Sequence, residues 1–211
     1  FEYGNDPRVV TQLQLEGLIR NWNTKKENGN GGGADSNLDL RIANAASPIR
    51  EVVVINCVNS KNETRGCCSI GCPISVKNAL TLKKLAPDIR VKILYRDLSM
   101  VREEHFHLDA AKAAGVQFIR FADARYPEVS TSNGRLLVKV HDILLGRELE
   151  VPADLLVLTT AFEGAETVEQ VKGHLKVSAN PDGFFQEAHV KLGPVEFATD
   201  GVSLCGCSKS D

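Results

Sequence analysis

The sequence lacks the features that would place it in a membrane or on nucleic acid. No apolar run approaches the roughly 20 residues that a spanning helix needs, and no signal peptide precedes the first predicted element. A net charge of −2 at pH 7 provides no basic field for nucleic acid or an anionic membrane. Hydrophobic residues make up 43% of the 211 residues, a composition that is ordinary for a globular chain. We expect a cytoplasmic protein that neither binds nucleic acid nor inserts directly into a membrane.

The chain also lacks an initiator methionine. It begins at Phe1 and stops at Asp211, soon after a short apolar segment. We therefore expect both ends to have been cut from a longer protein.

Alternating apolar segments in the middle of the chain predict a parallel sheet. Residues 52–55 are β-branched or apolar throughout, which is typical of a strand covered on both faces. After them we predict a helix over 73–85, a strand over 91–95, a helix over 102–114 and a strand over 116–120. Strands and helices that alternate at this spacing indicate a Rossmann-type α/β unit.

Two further regions complete the prediction. The period of the apolar residues changes to two over 136–140 and 147–151, which predicts paired strands around a turn near Gly146, and 153–160 returns as a buried strand. The predicted fold class is therefore α/β: a Rossmann-like three-layer unit with a parallel sheet plus a β-meander. Towards the N-terminus we predict an amphipathic helix over 9–21 and a mobile loop over 23–35, which has almost no apolar side chains.

No glycine-rich turn follows the first predicted strand. Dinucleotide-binding units need glycines there, because the backbone must approach the pyrophosphate at the helix N-terminus. Here the strand ends in Asn56-Cys57-Val58. Asp97, at the end of the next strand, could hold a ribose, but without the glycines the sequence argues against NAD(P). No Ser-His-Asp or paired-carboxylate constellation indicates a hydrolase either.

Cysteine occupies the position of the missing glycines. The six cysteines form two groups, Cys57, Cys67, Cys68 and Cys72, and Cys205 and Cys207. A chain with a large core and no secretion signal does not need a disulfide framework. A thiol that precedes Pro73 at a helix N-terminus is favoured as thiolate. Four such sulfurs suit an iron–sulfur cluster or structural zinc, and the alternative is a set of reduced cysteines that are merely neighbours.

A set of motifs resembles a known family. They are INCVNS (55–60), CSIGC (68–72), GVQFIR (115–120), ADLLVLT (153–159), DGFFQEAH (182–189) and TDGV (199–202). Together they resemble the A subunit of heterodisulfide reductase over most of the chain apart from its glycine-rich segment. The resemblance implies a flavin and iron–sulfur electron-transfer protein with a thioredoxin-reductase-like core, of which this chain is the dinucleotide-domain-like part with a partial flavin-domain segment at its termini.

The resemblance also implies cofactor sites. It assigns a cluster, which we expect to be [4Fe–4S], to the metal ligands Cys57, Cys67, Cys68 and Cys72, although the cysteine doublet stands first here and Pro73 occupies the position of the family's last cysteine. It assigns FAD contacts to Thr159, Thr160, Gly206 and Cys207. Because half of the flavin domain is missing, we expect the isolated chain to bind FAD weakly or not at all.

We expect the chain to divide into four segments and to have one function. The segments are an N-terminal helical segment (1–22), a flexible Gly/Asn-rich loop (23–48), a Rossmann-like domain with a β-meander (49–165) and a partial return to a flavin domain (166–211). The function is electron transfer between a flavin and a cluster on the clustered cysteines. Its partners are other heterodisulfide-reductase-like or electron-transfer subunits. The alternative is a non-catalytic scaffold or docking domain that has lost both cofactors.

Overall fold

The computed structural model describes residues 1–28, 49–63, 65–100, 104–132 and 134–206. These residues divide into two compact units. The larger comprises Phe1–Val58 and Ser69–Thr160, and the smaller comprises Asn59–Cys68 and the described residues that follow Thr160. The loop that carries Cys67 and Cys68 therefore belongs to the smaller unit.

The described residues of the larger unit form two sheets and three helices. Its elements are β1 (Val9–Thr11), α1 (Gln12–Asn28), β2 (Glu51–Val58), α2 (Gly71–Leu85), β3 (Arg90–Tyr95), α3 (Glu104–Ala113), β4 (Gln117–Arg120), β5 (Glu128–Ser132), β6 (Arg135–Asp142), β7 (Arg147–Ala153) and β8 (Leu155–Thr160). One sheet is parallel, with the order β1-β8-β2-β3-β4, and the other is an antiparallel meander, β5-β6-β7.

The parallel sheet is covered on both faces. Val52 and Val54 point to the side that packs against the three helices, whereas Val53 and Ile55 point to the side that packs against the meander. Both cores need apolar side chains, so β2 shows a continuous apolar run rather than an alternation. The predicted fold class, a Rossmann-like three-layer unit with a parallel sheet and a β-meander, is confirmed.

The N-terminal segment differs from the sequence prediction. Val9–Thr11, predicted as the start of a helix, is an edge strand that pairs with β8, and α1 begins only at Gln12. The helix then continues to Asn28, so residues 23–28 are helical where a loop was predicted. A helix that has already formed adds residues at low cost even without apolar side chains. The rest of the predicted loop lies outside the described residues.

The helix α3 buries a face that its sequence spacing does not predict. The i, i+4 spacing of Phe106 and Ala110 predicts that these two residues are buried, but both are exposed, and Leu108 and Ala111 pack into the core instead. Residues 102 and 103, where this helix was predicted to begin, lie outside the described residues. The strand β5, with its polar sequence Glu128–Ser132, was not predicted.

In the part of the smaller unit that the structure describes, there is one helix and little other regular structure. The helix α4 (Val168–Leu175) ends at Lys176, which adopts a left-handed conformation. Around residues 183–185 and 202–204, strand pairing is limited to single bridges, Ala179 with Phe185 and Glu196 with Ser203. Among the described residues of the chain, no helix has the length and apolar character needed to cross a membrane.

Candidate functional site

The strand β2 ends in an irregularity at the position of the predicted site. Between Ile55 and Val58 the strand contains one residue more than its partner β8, which is a β-bulge. Cys57 lies in the bulge with φ = 62°, a left-handed conformation that residues other than glycine rarely adopt. Bulges redirect side chains and are frequent beside functional sites. The bulge therefore directs Asn56 and Cys57 differently from a regular strand.

Among the described cysteines, Cys57 and Cys72 are the buried ones, each 5% exposed, and both lie in the larger unit. Cys72 is the second residue of α2. Its thiol donates to the backbone oxygen of Asp97 over 3.6 Å, and Nδ2 of Asn56 donates to its sulfur over 4.0 Å. The sulfur of Cys72 thus lies between an acceptor and a donor at the carboxyl ends of β2 and β3.

Cys67 and Cys68 belong to the loop of the smaller unit, where Cys67 is exposed and Cys68 half-buried. The loop is closed by a backbone hydrogen bond from Lys61 to Gly66 of 2.8 Å. An ion pair of 2.7 Å joins Arg65 to Glu163 of the same unit. The loop that carries the cysteine doublet is therefore tied to residues beyond Thr160.

The four predicted ligands supply suitable chemistry for a metal, but their grouping stays a prediction. In the described part of the chain, no three side chains of His, Cys, Asp or Glu form a group that could hold a metal ion. Thiols are the ligands of iron–sulfur clusters, and an N–H group directed at a sulfur, as at Cys72, is a typical outer contact of such a ligand. The donor set therefore fits a cluster in its chemistry.

A buried polar network surrounds the end of β2. Its centre is Asn56, whose Oδ1 accepts from Ser75 Oγ over 2.6 Å and from Thr159 Oγ1 over 2.8 Å. Nε2 of Gln12 donates to the same two hydroxyl oxygens over 3.1 and 3.0 Å. These four side chains come from β2, α2, β8 and α1, and all are buried. The network therefore joins four elements at the carboxyl end of the sheet.

The network extends along α2 to the surface. Nδ2 of Asn78 donates to Oε1 of Gln12 over 2.8 Å and lies 3.4 Å from Oε1 of Glu16. Glu16 in turn forms an ion pair of 2.6 Å with Lys77. This network was not predicted from the sequence, although the polar residues Ser75 and Asn78 at core-facing positions of an apolar helix pattern were a usable signal.

The predicted flavin contacts fall in different places. The side chain of Thr159 is buried in the network, whereas that of Thr160 is exposed at the end of β8. Gly206, in the smaller unit, is exposed and has φ = 65°. Cys207 lies outside the described residues. Of the two threonines, Thr160 is the one with an exposed side chain.

Fold and buried site define a class of protein, a Rossmann-like α/β unit with cysteine in place of the nucleotide-binding glycines. No protein-family model matches the chain. The A subunit of the H(2)/formate:CoB-CoM heterodisulfide,ferredoxin reductase of Methanococcus maripaludis is 32% identical over 215 residues, or 99% of this chain and 31% of that protein. The A subunit of the H(2):CoB-CoM heterodisulfide,ferredoxin reductase of Methanothermobacter marburgensis is 33% identical over 217 residues, 99% of this chain and 30% of that protein.

The chain is therefore homologous to a region of the heterodisulfide reductase A subunit, as its motifs predicted, and it spans less than a third of the length of these relatives. Two solved structures share part of the arrangement at lower similarity. They are the thioredoxin reductases of Lactococcus lactis (TM-score 0.48, 15% identity, 77% of this chain and 45% of that one) and of T. acidophilum (TM-score 0.46, 15% identity, 76% and 45%).

Proposed function

We propose that this chain is part of a flavin and iron–sulfur oxidoreductase of the heterodisulfide reductase type and passes electrons between a flavin and a cluster on its clustered cysteines. A relative in Methanocaldococcus jannaschii, 32% identical over 99% of this chain, is named as the iron-sulfur A subunit of CoB--CoM heterodisulfide reductase. The observation that carries the proposal is the setting of Cys72, buried at the start of α2 with an amide N–H directed at its sulfur. Its partners are other subunits of such a reductase.

The proposed ligands are Cys57, Cys67, Cys68 and Cys72. A cluster bound there supplies one-electron transfer, and the chain's part is to hold the sulfurs and set their hydrogen bonds. The burial of Cys57 and Cys72 supports this role, because limited solvent access and fixed hydrogen bonds tune the potential of a centre.

The proposed flavin contacts are Thr160, Gly206 and Cys207, together with the backbone of Thr159. The hydroxyl of Thr159 already bonds Asn56, so its side chain has little capacity left for a ligand. The flavin is FAD, and its binding in the intact protein requires residues beyond this chain.

Visible absorption of anaerobically reconstituted protein tests the proposal. After incubation with iron and sulfide, we expect a broad band near about 400 nm, the usual signature of an iron–sulfur cluster. Cys57→Ser and Cys72→Ser should each weaken the band strongly. Cys205→Ser, which changes an exposed cysteine outside the proposed ligand set, is the matched control and should leave it unchanged.

Three results would contradict the proposal. Absence of the band from the wild-type chain would favour a scaffold or docking domain without a cluster. A band of full strength in both Cys57→Ser and Cys72→Ser would show that the ligands are elsewhere. Zinc found by elemental analysis instead of iron would indicate a structural metal site.

A further inference from the structure

The amide of Asn56 has a defined orientation. Gln12 Nε2 donates to the oxygens of Ser75 and Thr159, and these two oxygens also lie 2.9 Å from each other. Ser75 Oγ also donates to the backbone oxygen of Gly71 over 2.7 Å. If the Asn56 amide were flipped, the Thr159 hydroxyl could donate only to Ser75, whose oxygen would then face three donors, from Gln12, Asn56 and Thr159. A hydroxyl oxygen has only two lone pairs to offer. The amide oxygen of Asn56 therefore faces the hydroxyls, and its nitrogen faces the sulfur of Cys72.

The orientation of the whole network is fixed from its outer end. The carboxylate of Glu16 can only accept hydrogen bonds, so it draws the NH₂ group of Asn78 towards itself and towards Oε1 of Gln12. Gln12 must then present its own NH₂ group to the two hydroxyls. The orientation of each amide is thus determined by the neighbouring group nearer to Glu16, and the last amide in this series is that of Asn56.

We propose that Asn56 is the positioning residue for Cys72: this oriented chain of hydrogen bonds, anchored at Glu16, directs the Asn56 amide N–H at the Cys72 sulfur and supplies a hydrogen bond to it when the sulfur is a metal-bound thiolate. The inference rests on the proposed role of Cys72 as a ligand. The contact between Asn56 Nδ2 and the Cys72 sulfur is 4.0 Å long, and the thiol of Cys72 donates to the backbone oxygen of Asp97. Loss of that proton on metal binding leaves Asn56 facing a charged sulfur, and hydrogen bonds to charged groups are shorter and stronger.

The hydrogen bond has a direct effect on redox chemistry. An N–H donor withdraws charge from a ligating sulfur and so stabilises the reduced, more negative state of the centre. Asn56 therefore raises the reduction potential of the centre that Cys72 holds. A residue that only filled space at this position would not change the potential in this direction.

Nuclear magnetic resonance of the cadmium-loaded chain tests the contact itself. With the spin-one-half isotope of cadmium bound, we expect a scalar coupling between the metal and one side-chain amide proton of Asn56, transmitted through the hydrogen bond and the sulfur. Asn78 is the internal control. Its amide belongs to the same network but donates to Gln12 and Glu16, so it should show no coupling to cadmium.

Two variants test the effect on the potential. Asn56→Asp keeps an acceptor for the hydroxyls of Ser75 and Thr159. Asn56→Leu removes donor and acceptor together, after which the Thr159 hydroxyl can donate to Ser75 and the Ser75 hydroxyl to the backbone oxygen of Gly71. Asn56→Asp introduces a carboxylate at this buried site, whereas Asn56→Leu introduces an apolar side chain, so the two changes disturb folding for different reasons. We therefore expect at least one variant to retain the wild-type circular dichroism spectrum. In a folded variant reconstituted with iron and sulfide, we expect an unchanged iron content and a midpoint potential shifted to more negative values.

The outcomes separate this inference from the proposed function. Loss of the thiolate–cadmium absorption band in Cys72→Ser would show that Cys72 binds cadmium. If the cadmium bound there showed no coupling to Asn56, the inference alone would be overturned. An unchanged midpoint potential in both Asn56 variants would do the same. A wild-type chain that binds neither cadmium nor iron through thiolates would overturn the proposed function and this inference with it.

Discussion

Gly164 and Gly183 pack backbone against backbone in the smaller unit. A Cβ atom on Gly164 would lie 1.6 Å from the carbonyl oxygen of Gly183 and 2.2 Å from its carbonyl carbon. The amide of Gly164 also donates to the backbone oxygen of Asp182 over 3.4 Å, and the rings of Phe162 and Phe184 stack beside this contact with centroids 5.4 Å apart. The approach of the two segments therefore depends on the absence of a side chain at position 164.

We predict that Gly164→Ala destabilises the smaller unit by about 2 kcal/mol or more, because rigid backbone must move to admit the methyl group. Gly173→Ala is the matched control. Gly173 lies in α4, and a Cβ atom added there would have no neighbouring atom within 4 Å, so the change should stabilise the helix by up to about 1 kcal/mol. Hydrogen exchange of residues 161–206 measures both effects. Equal protection in the two variants would refute the packing argument.

The two threonines at the end of β8 provide a test of the buried network. Thr159→Val removes the hydroxyl that donates to Asn56 and accepts from Gln12, and we expect a loss of about 1–3 kcal/mol in the free energy of unfolding. Thr160→Val changes an exposed neighbour and should alter this free energy by less than about 0.5 kcal/mol. Urea denaturation followed by circular dichroism compares them. Similar midpoints for both variants would mean that the network adds nothing to stability.

Glu51 gives the larger unit a pH dependence. Burial raises the pKa of this carboxyl, but hydrogen bonds from Arg90 and from Lys92 (2.7 Å) together outweigh burial and hold the pKa below its ordinary value. Since the folded-state pKa is the lower one, the carboxylate stabilises the fold above its unfolded-state pKa, and this contribution is lost as the pH falls through the folded-state value.

We therefore expect Glu51→Gln to cost up to about 1 kcal/mol at neutral pH, and less as the medium becomes more acidic than the ordinary pKa of glutamate. Denaturation midpoints measured over a pH series provide the check. Glu166→Gln, a change at an exposed carboxyl in the other unit, is the control. A difference between wild type and Glu51→Gln that stayed constant down to strongly acidic pH would contradict the assignment.

Asp142 shapes the turn between β6 and β7. Its buried carboxylate accepts from the backbone amides of Leu144 (2.8 Å) and Leu145 (3.3 Å). Asp142→Ala removes both bonds and should cost about 1–2 kcal/mol, whereas Asp142→Asn keeps the accepting oxygen and should cost markedly less. Thermal unfolding ranks the two variants. If asparagine were as damaging as alanine, the hydrogen bonds to the turn could not be the cause.

Most of the parallel sheet could be predicted because its longer strands are rich in apolar residues. Two of the short strands could not be predicted in the same way. Val9–Thr11 forms a strand only because β8 offers it an edge to pair with, and the polar Glu128–Ser132 is held by its pairing with β6. In both cases tertiary pairing outweighs the local pattern, which a single sequence does not display.

The cysteines of the candidate site could be found from sequence, since their grouping is visible in the chain itself. The role of Asn56 could not. It depends on hydroxyls and amides from α1, α2 and β8, up to 147 positions apart in the chain, that meet only after folding. A polar residue at the end of an apolar strand is common, and only the direction of its amide distinguishes Asn56.

The position of β8 between β1 and β2 has a consequence for biosynthesis. Val9 pairs with Leu156 and Val52 pairs with Leu155, so an interior strand of the sheet leaves the ribosome after the other four strands. Until then the apolar edge of β2 has no neighbour on that side, and such an edge is prone to pair with other chains. Contacts this distant in sequence also form slowly. Nascent chains that end before β8 should therefore depend on chaperones, and truncation before β8 should yield an insoluble product.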